Sequence, residues 1–136
     1  MSKKQLTKRQ LQKKATILRH KEVERAKRLA NKLEKQKYKD FVKLIKERDD
    51  YTCQISGKSF KNSKPQALQV AHILSKENYP ELMLDPNNVL CLSFYHHKNS
   101  PLSTHLDGFA FSLFFKEKFP GRYRYLVKKL REHEKT

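Results

Sequence analysis

Glycine is nearly missing from this chain. Only three occur in 136 residues, the first is Gly57, and no proline precedes Pro65. Nothing ahead of Gly57 therefore breaks a helix. Tryptophan is absent. The two cysteines, Cys53 and Cys91, are too few for a disulfide framework and point to a reducing compartment. No apolar run approaches the roughly 18 residues of a membrane span. The basic N-terminal stretch lacks the apolar segment of a secretory signal. Acidic residues number 14 against 31 Lys+Arg, for a formal net charge of +17. Such a surplus calls for a polyanionic partner. Hydrophobic content of 37% and a mean hydropathy of −0.89 suit a small core with a long polar extension.

The charge is uneven. Residues 1–48 hold 18 basic and 5 acidic side chains, and the remainder holds 13 and 9. The first third is thus a basic arm, built from good helix formers. Apolar residues recur every three or four positions, at Leu11, Ala15 and Leu18, then at Val23, Ala26, Ala30 and Leu33, with a slip near residue 20. The spacing predicts one long helix or two successive ones, the second over Glu34–Arg48. Tyr38, Phe41, Val42 and Ile45 form the face expected to dock on the core. The first 30 residues carry a thin apolar stripe and repel themselves, so partial disorder without a partner is expected there. Lys8, Arg9, Lys13, Lys14, Arg19, Arg25 and Arg28 are the side chains expected to neutralise phosphates. A solvated helix that keeps the protein soluble is the alternative. A membrane-surface helix would need bulky apolar residues opposite the charge, and the arm has few.

The rest is organised around Leu68–Lys98. Leu68-Gln69-Val70-Ala71-His72-Ile73-Leu74 has strand length, with His72 near its end. A loop or short helical insertion follows over Ser75–Leu84. The Asp85-Pro86-Asn87-Asn88 turn leads into a second strand, Val89-Leu90-Cys91-Leu92, and Phe94–Lys98 opens a short helix. Asn99-Ser100-Pro101 limits that helix. Ahead of this stretch, Asp49 and Asp50 leave the arm helix, Tyr51-Thr52-Cys53 is extended, and Lys58–Pro65 is a polar loop. Behind it, Gly108–Phe119 reads as a helix ended by Pro120-Gly121, and Arg122–Glu132 as a final helix with Tyr123, Leu126, Val127 and Leu130 on one face. The aromatics here are expected in the core rather than as a base-stacking platform.

Three ordered phrases resemble the HNH, or ββα-metal finger, nucleases. They are Leu68-Gln69…His72-Ile73; Asn88-Val89…Leu92-Ser93…His96-His97; and His105-Leu106-Asp107-Gly108 followed by Phe111, Phe114, Phe115, Phe119, Pro120, Arg122 and Tyr123. The style is that of phage recombination or homing endonucleases, and the likeness covers roughly residues 44–126. It implies a small α+β domain, 41–136, with a ββα-metal core and C-terminal helices, behind a basic helical arm, 1–40. It further implies a metal-dependent DNA endonuclease or nickase acting on double-stranded DNA in the cytoplasm, the host's if phage-encoded.

The resemblance assigns roles residue by residue. His72 matches the general base, Asn88 the residue that fixes the loop, and His97 the metal-ligand histidine. The ion would be Mg²⁺, or Mn²⁺, Ni²⁺ or Zn²⁺ in its place. Two features depart from the family. Its usual Asp before the first histidine is Ala71 here, so His105 or Asp107 is the expected replacement ligand. The four positions of the family's zinc knuckle read Cys53, Ser56, Ser93 and His96. Cys91 lies two residues from the third position, either as a strained substitute ligand or as a buried small hydrophobe. Structural zinc is not expected, and packing of Phe60, Phe94 and Tyr95 is expected in its place. Two other functions fit parts of the pattern: a DNA-binding protein that has kept this fold without catalysis, and an RNA- or ribosome-associated basic protein.

Overall fold

The computed structural model describes residues 4–98 and 108–135. The chain divides into two compact units, Met1–Lys39 and Asp40–Thr136. A single helix, α1, spans Lys8–Arg48, so the slip near residue 20 does not split it.

In the first unit α1 opens on a capping box. The Thr7 hydroxyl accepts from Gln10 N–H at 3.2 Å, and the Gln10 side chain accepts from Thr7 N–H at 2.9 Å. Two donors that the first turn leaves without helical partners are thereby satisfied. Glu24–Lys27 and Glu34–Lys37 pair at 3.9 and 3.5 Å, worth a few tenths of a kcal/mol at best. Every side chain from Lys4 to Lys37 is exposed, including Leu11, Leu18, Leu29 and Leu33. Nothing apolar is buried along this stretch, so intrinsic propensity and length sustain the helix.

The second unit begins with the last turns of α1, where Phe41 and Ile45 are buried. The helix ends without glycine. Tyr51 N–H reaches back to Lys46 O and Asp50 N–H to Glu47 O, at 2.8 and 3.1 Å. This is the Schellman closure, with Asp50 in the left-handed position at φ 53°. Asp49 lies inside that turn, buried, and its carboxylate accepts from Cys91 N–H at 2.9 Å. Arg48 chelates the same carboxylate at 2.8 and 3.2 Å and also donates to the carbonyls of Pro86 and Val89. The Arg-Asp pair thus ties the end of α1 to the second strand.

The sheet has two strands, β1 (Leu68–His72) and β2 (Val89–Ser93), paired antiparallel from Leu68↔Ser93 to His72↔Val89. β1 stops at His72 rather than Leu74. Leu74 N–H and C=O are both taken by the Asn88 side chain and are not available to a ladder. All five residues of β2 are buried, so both faces of this strand are covered. The chain passes directly from β2 into α2 (Phe94–Lys98), and α3 (Gly108–Lys118) and α4 (Pro120–Glu134) complete the unit. Pro120 begins α4 instead of merely ending α3. Proline suits a first helical position because the N–H it lacks would have no helical partner.

The fold is therefore mixed α and β, with a two-stranded antiparallel sheet. Its core joins Phe41 and Ile45 of α1 to Val89–Leu92, with Phe111, Phe115 and Leu126 against them. Phe111 and Phe115 stack at 6.1 Å between centroids; both rings are buried and unavailable to bases. No described helix is long and apolar enough to cross a membrane.

Candidate active site

Asn88 is wholly buried at the last residue before β2. Pro86–Asn88 is a single tight turn whose entry Asp85 caps, its carboxylate accepting from Asn87 N–H at 2.9 Å. The Asn88 amide then saturates its surroundings. Oδ1 accepts from Leu74 N–H at 2.8 Å, and Nδ2 donates to the carbonyls of Leu74 and Leu82 at 3.0 and 3.1 Å. Its own carbonyl accepts from Ile73 N–H at 2.9 Å. One side chain thus closes the loop between β1 and β2 at both ends. Aspartate or serine could not supply this set of donors and acceptors.

His72 sits at the end of β1 with Nε2 2.8 Å from the carbonyl of Met83. A carbonyl only accepts, so Nε2 carries the proton and the lone pair is on Nδ1. Met83 follows Leu82, which Asn88 holds, so the carbonyl that sets the tautomer is itself fixed. Burial pushes the His72 pKa down, the Met83 carbonyl raises it, and Lys76 lowers it; the net shift is downward. Burial and Lys76 thus favour the neutral form of the ring.

His97 lies on α2 with Nδ1 2.6 Å from Gln69 Oε1 of β1. An amide oxygen only accepts, so in this contact Nδ1 carries the proton and donates it to Gln69, leaving Nε2 as the ligating nitrogen. This is the arrangement that orients metal-bound imidazoles. Gln69 was legible only as a letter of the opening phrase; its contact with a residue 28 positions away requires the sheet. Ala71, the expected ligand position, is fully buried and offers no donor atom. His105 and Asp107 lie outside the described residues. Among the described residues no group of three His, Cys, Asp or Glu side chains could share an ion. The donor set is thus one oriented imidazole, a ligand for ions such as Zn²⁺ or Ni²⁺ more than for Mg²⁺, which prefers oxygen donors.

The knuckle positions meet in space. Cys53 is buried, its Sγ 3.9 Å from His96 Nδ1, and Ser93 Oγ lies 2.9 Å from the same nitrogen. Ser56 N–H points at Cys53 Sγ at 3.5 Å. Burial raises the Cys53 pKa, but hydrogen bonds from the Ser56 side chain and from the backbone at Ser56, Ser93 and Ile55 outweigh it and the net shift is downward. A single hydroxyl-to-imidazole bond, from Ser93 to His96, thus stands where thiolate-to-metal bonds would. Phe94 and Tyr95 do not fill this role. They are 51% and 56% exposed, because β2 turns into α2 with that face outward; Phe60 alone of the three packs on the core. Cys91 faces elsewhere. Its Sγ lies 3.8 Å from Ile45 O, and burial and then the nearby Asp49 carboxylate push its pKa up to about 12. A thiol so hard to ionise is a poor ligand.

The arm residues Lys8, Arg9, Lys13, Lys14, Arg19, Arg25 and Arg28 are all exposed along α1. Comparison with family models, curated proteins and solved structures gave no match for this chain.

Proposed function

We propose that this chain is a metal-dependent DNA endonuclease or nickase of the HNH type, hydrolysing phosphodiester bonds with His72 as general base. The observation that carries the reading is the tautomer of His72: Nε2–H is committed to Met83 O at 2.8 Å, so Nδ1 is the basic nitrogen, on a ring whose neutral form burial favours. A water attacking phosphorus would lose its proton to that nitrogen while the P–O bond to the leaving sugar oxygen breaks. His97 would hold the divalent ion through Nε2, and that ion would polarise the phosphate and stabilise the leaving oxygen. Asn88 acts through the loop it closes. The exposed arm supplies sequence-independent affinity for duplex DNA.

Plasmid nicking in Mg²⁺, Mn²⁺, Ni²⁺ or Zn²⁺ tests this. Cleavage by the natural chain should vanish in His72→Ala while DNA binding stays nearly intact. Undiminished cleavage by that variant would remove His72 from the role.

The buried Ala71 favours one second reading, a DNA-binding protein that keeps this fold without catalysis. Titration with Mn²⁺ separates the two, since only the nuclease should bind the ion through His97.

A further inference from the structure

The charge of the second unit has a definite address. Residues 49–119 hold seven basic and seven acidic side chains and are formally neutral. Residues 120–136 hold six basic and two acidic ones. The entire surplus outside the arm therefore belongs to α4 and the residues next to it.

Within α4 the charges separate by face. Arg122 lies over the Phe119 ring at 4.6 Å. Lys129 pairs with Glu132 at 3.5 Å and caps the Tyr125 ring at 5.5 Å. His133 faces Glu81 at 3.4 Å. These are engaged with the domain. Arg124, Lys128, Arg131 and Lys135 are all exposed, and none has a carboxylate within 4.0 Å among the described residues. Their spacing of four, three and four puts them within about 60° of arc, roughly opposite the buried Leu126. The row is about 16 Å long at 1.5 Å per residue. A single DNA strand presents about five phosphates over that length.

The helix is tied to the turn before β2 by a side-chain hydrogen bond. The Tyr125 hydroxyl donates to Asp85 at 2.5 Å, and Asp85 caps the turn that presents Asn88. Anchoring the helix means that meeting a phosphate backbone costs only the rotamer freedom of the four side chains and no ordering of the backbone.

We propose that Arg124, Lys128, Arg131 and Lys135 form a second phosphate-binding surface, on the catalytic unit itself, which takes the sugar-phosphate backbone of duplex DNA. The partner follows from charge complementarity, and the choice of duplex DNA rests on the nuclease reading above. The arm supplies general affinity, whereas this row, tied through Tyr125 and Asp85 to the Asn88 turn, holds a strand in a set position on the unit.

The test uses the full chain and a short duplex, with affinity measured across a salt series. Arg124→Gln/Lys128→Gln/Arg131→Gln is compared with Lys58→Gln/Lys61→Gln/Lys64→Gln, which removes the same charge from an exposed loop. Circular dichroism should show both variants folded, since every substituted side chain is exposed. The α4 triple should bind at least tenfold more weakly at low salt, and its log–log salt slope should fall by roughly 2–3, at about 0.9 per lost phosphate contact. The loop triple should change little. Equal losses from both triples, or no change in the α4 triple, would overturn the proposal. So would loss of structured-RNA binding with duplex binding intact. Plasmid nicking, followed in parallel, separates the two levels. A natural chain that never cleaves but loses duplex affinity in the α4 triple removes the nuclease reading and leaves this surface standing. A chain that cleaves while the α4 triple binds normally does the reverse.

Discussion

Asn88 and Leu74 are joined by a reciprocal pair of hydrogen bonds: Leu74 N–H donates to Asn88 Oδ1 at 2.8 Å, and Asn88 Nδ2 donates to Leu74 O at 3.0 Å. The same amide reaches Leu82 O at 3.1 Å, so one buried residue fixes both ends of the loop beside His72. Asn88→Ala should leave these backbone groups without partners and destabilise the fold by about 2–5 kcal/mol. A loss under about 1 kcal/mol in urea denaturation would mean that water replaces the amide.

The His72 pKa is depressed in the folded chain, burial being the largest cause. The unfolded chain, with its pKa near 6.5, binds a proton before the folded one does. This contribution to stability is therefore present above about pH 6.5 and is lost as pH falls from there through the depressed folded value. His72→Gln should remove that part of the pH dependence. Cleavage by the natural chain should keep more than half its rate at pH 6.5, where an ordinary histidine is half protonated. A rate that halves there would show that the base has an unshifted pKa.

Gln69 is expected to act on the metal through His97, which it contacts at 2.6 Å. Gln69→Leu should weaken Mn²⁺ binding by about 10–100-fold with DNA affinity unchanged. Gln69→Glu, which keeps an acceptor at the same reach, should restore much of it. Calorimetric titration decides this, and equal affinities in all three proteins would reduce the contact to a packing detail.

The cluster of Cys53, Ser56, Ser93 and His96 should hold no zinc in the natural chain, and chelator should not unfold it. Ser56→Cys/Ser93→Cys should create a Cys₃His site, because Cys53 Sγ and Ser93 Oγ already lie 3.9 and 2.9 Å from His96 Nδ1. The double variant should bind one zinc per chain and gain thermal stability from it. One tightly bound zinc in the natural protein would contradict this.

Deleting residues 1–33 removes 12 of the basic side chains and leaves the buried Phe41 and Ile45 in place. The remainder should stay folded, bind DNA far more weakly and show a shallower salt slope. Residual low-salt cleavage should still require His72 and His97. Unchanged affinity and slope would show that the arm serves another partner, and would favour RNA.

Local features of the chain were legible because they depend on neighbours in sequence. The absence of Gly and Pro ahead of Gly57, with a three-to-four apolar spacing, specifies a helix, and α1 runs unbroken through the slip near residue 20. The Asp-Pro-Asn-Asn turn and the apolar runs around it specify two strands. The basic surplus of the arm was visible as charge alone. What the sequence could not state are contacts between distant positions. Nothing local predicts that Asn88 would occupy the backbone of Leu74 and so end β1 at His72, or that Gln69 would meet His97 across the sheet. Pro120 was read as a stop because proline cannot continue a helix, yet it equally suits a first helical position; only the position of α4 decides which applies. The exposure of Phe94 and Tyr95 was likewise unreadable, since hydrophobicity favours burial but the outward turn from β2 into α2 leaves them no surface to cover. Periodicity and turn chemistry are properties of a few consecutive residues, whereas hydrogen-bond partners and burial depend on which elements the fold brings together.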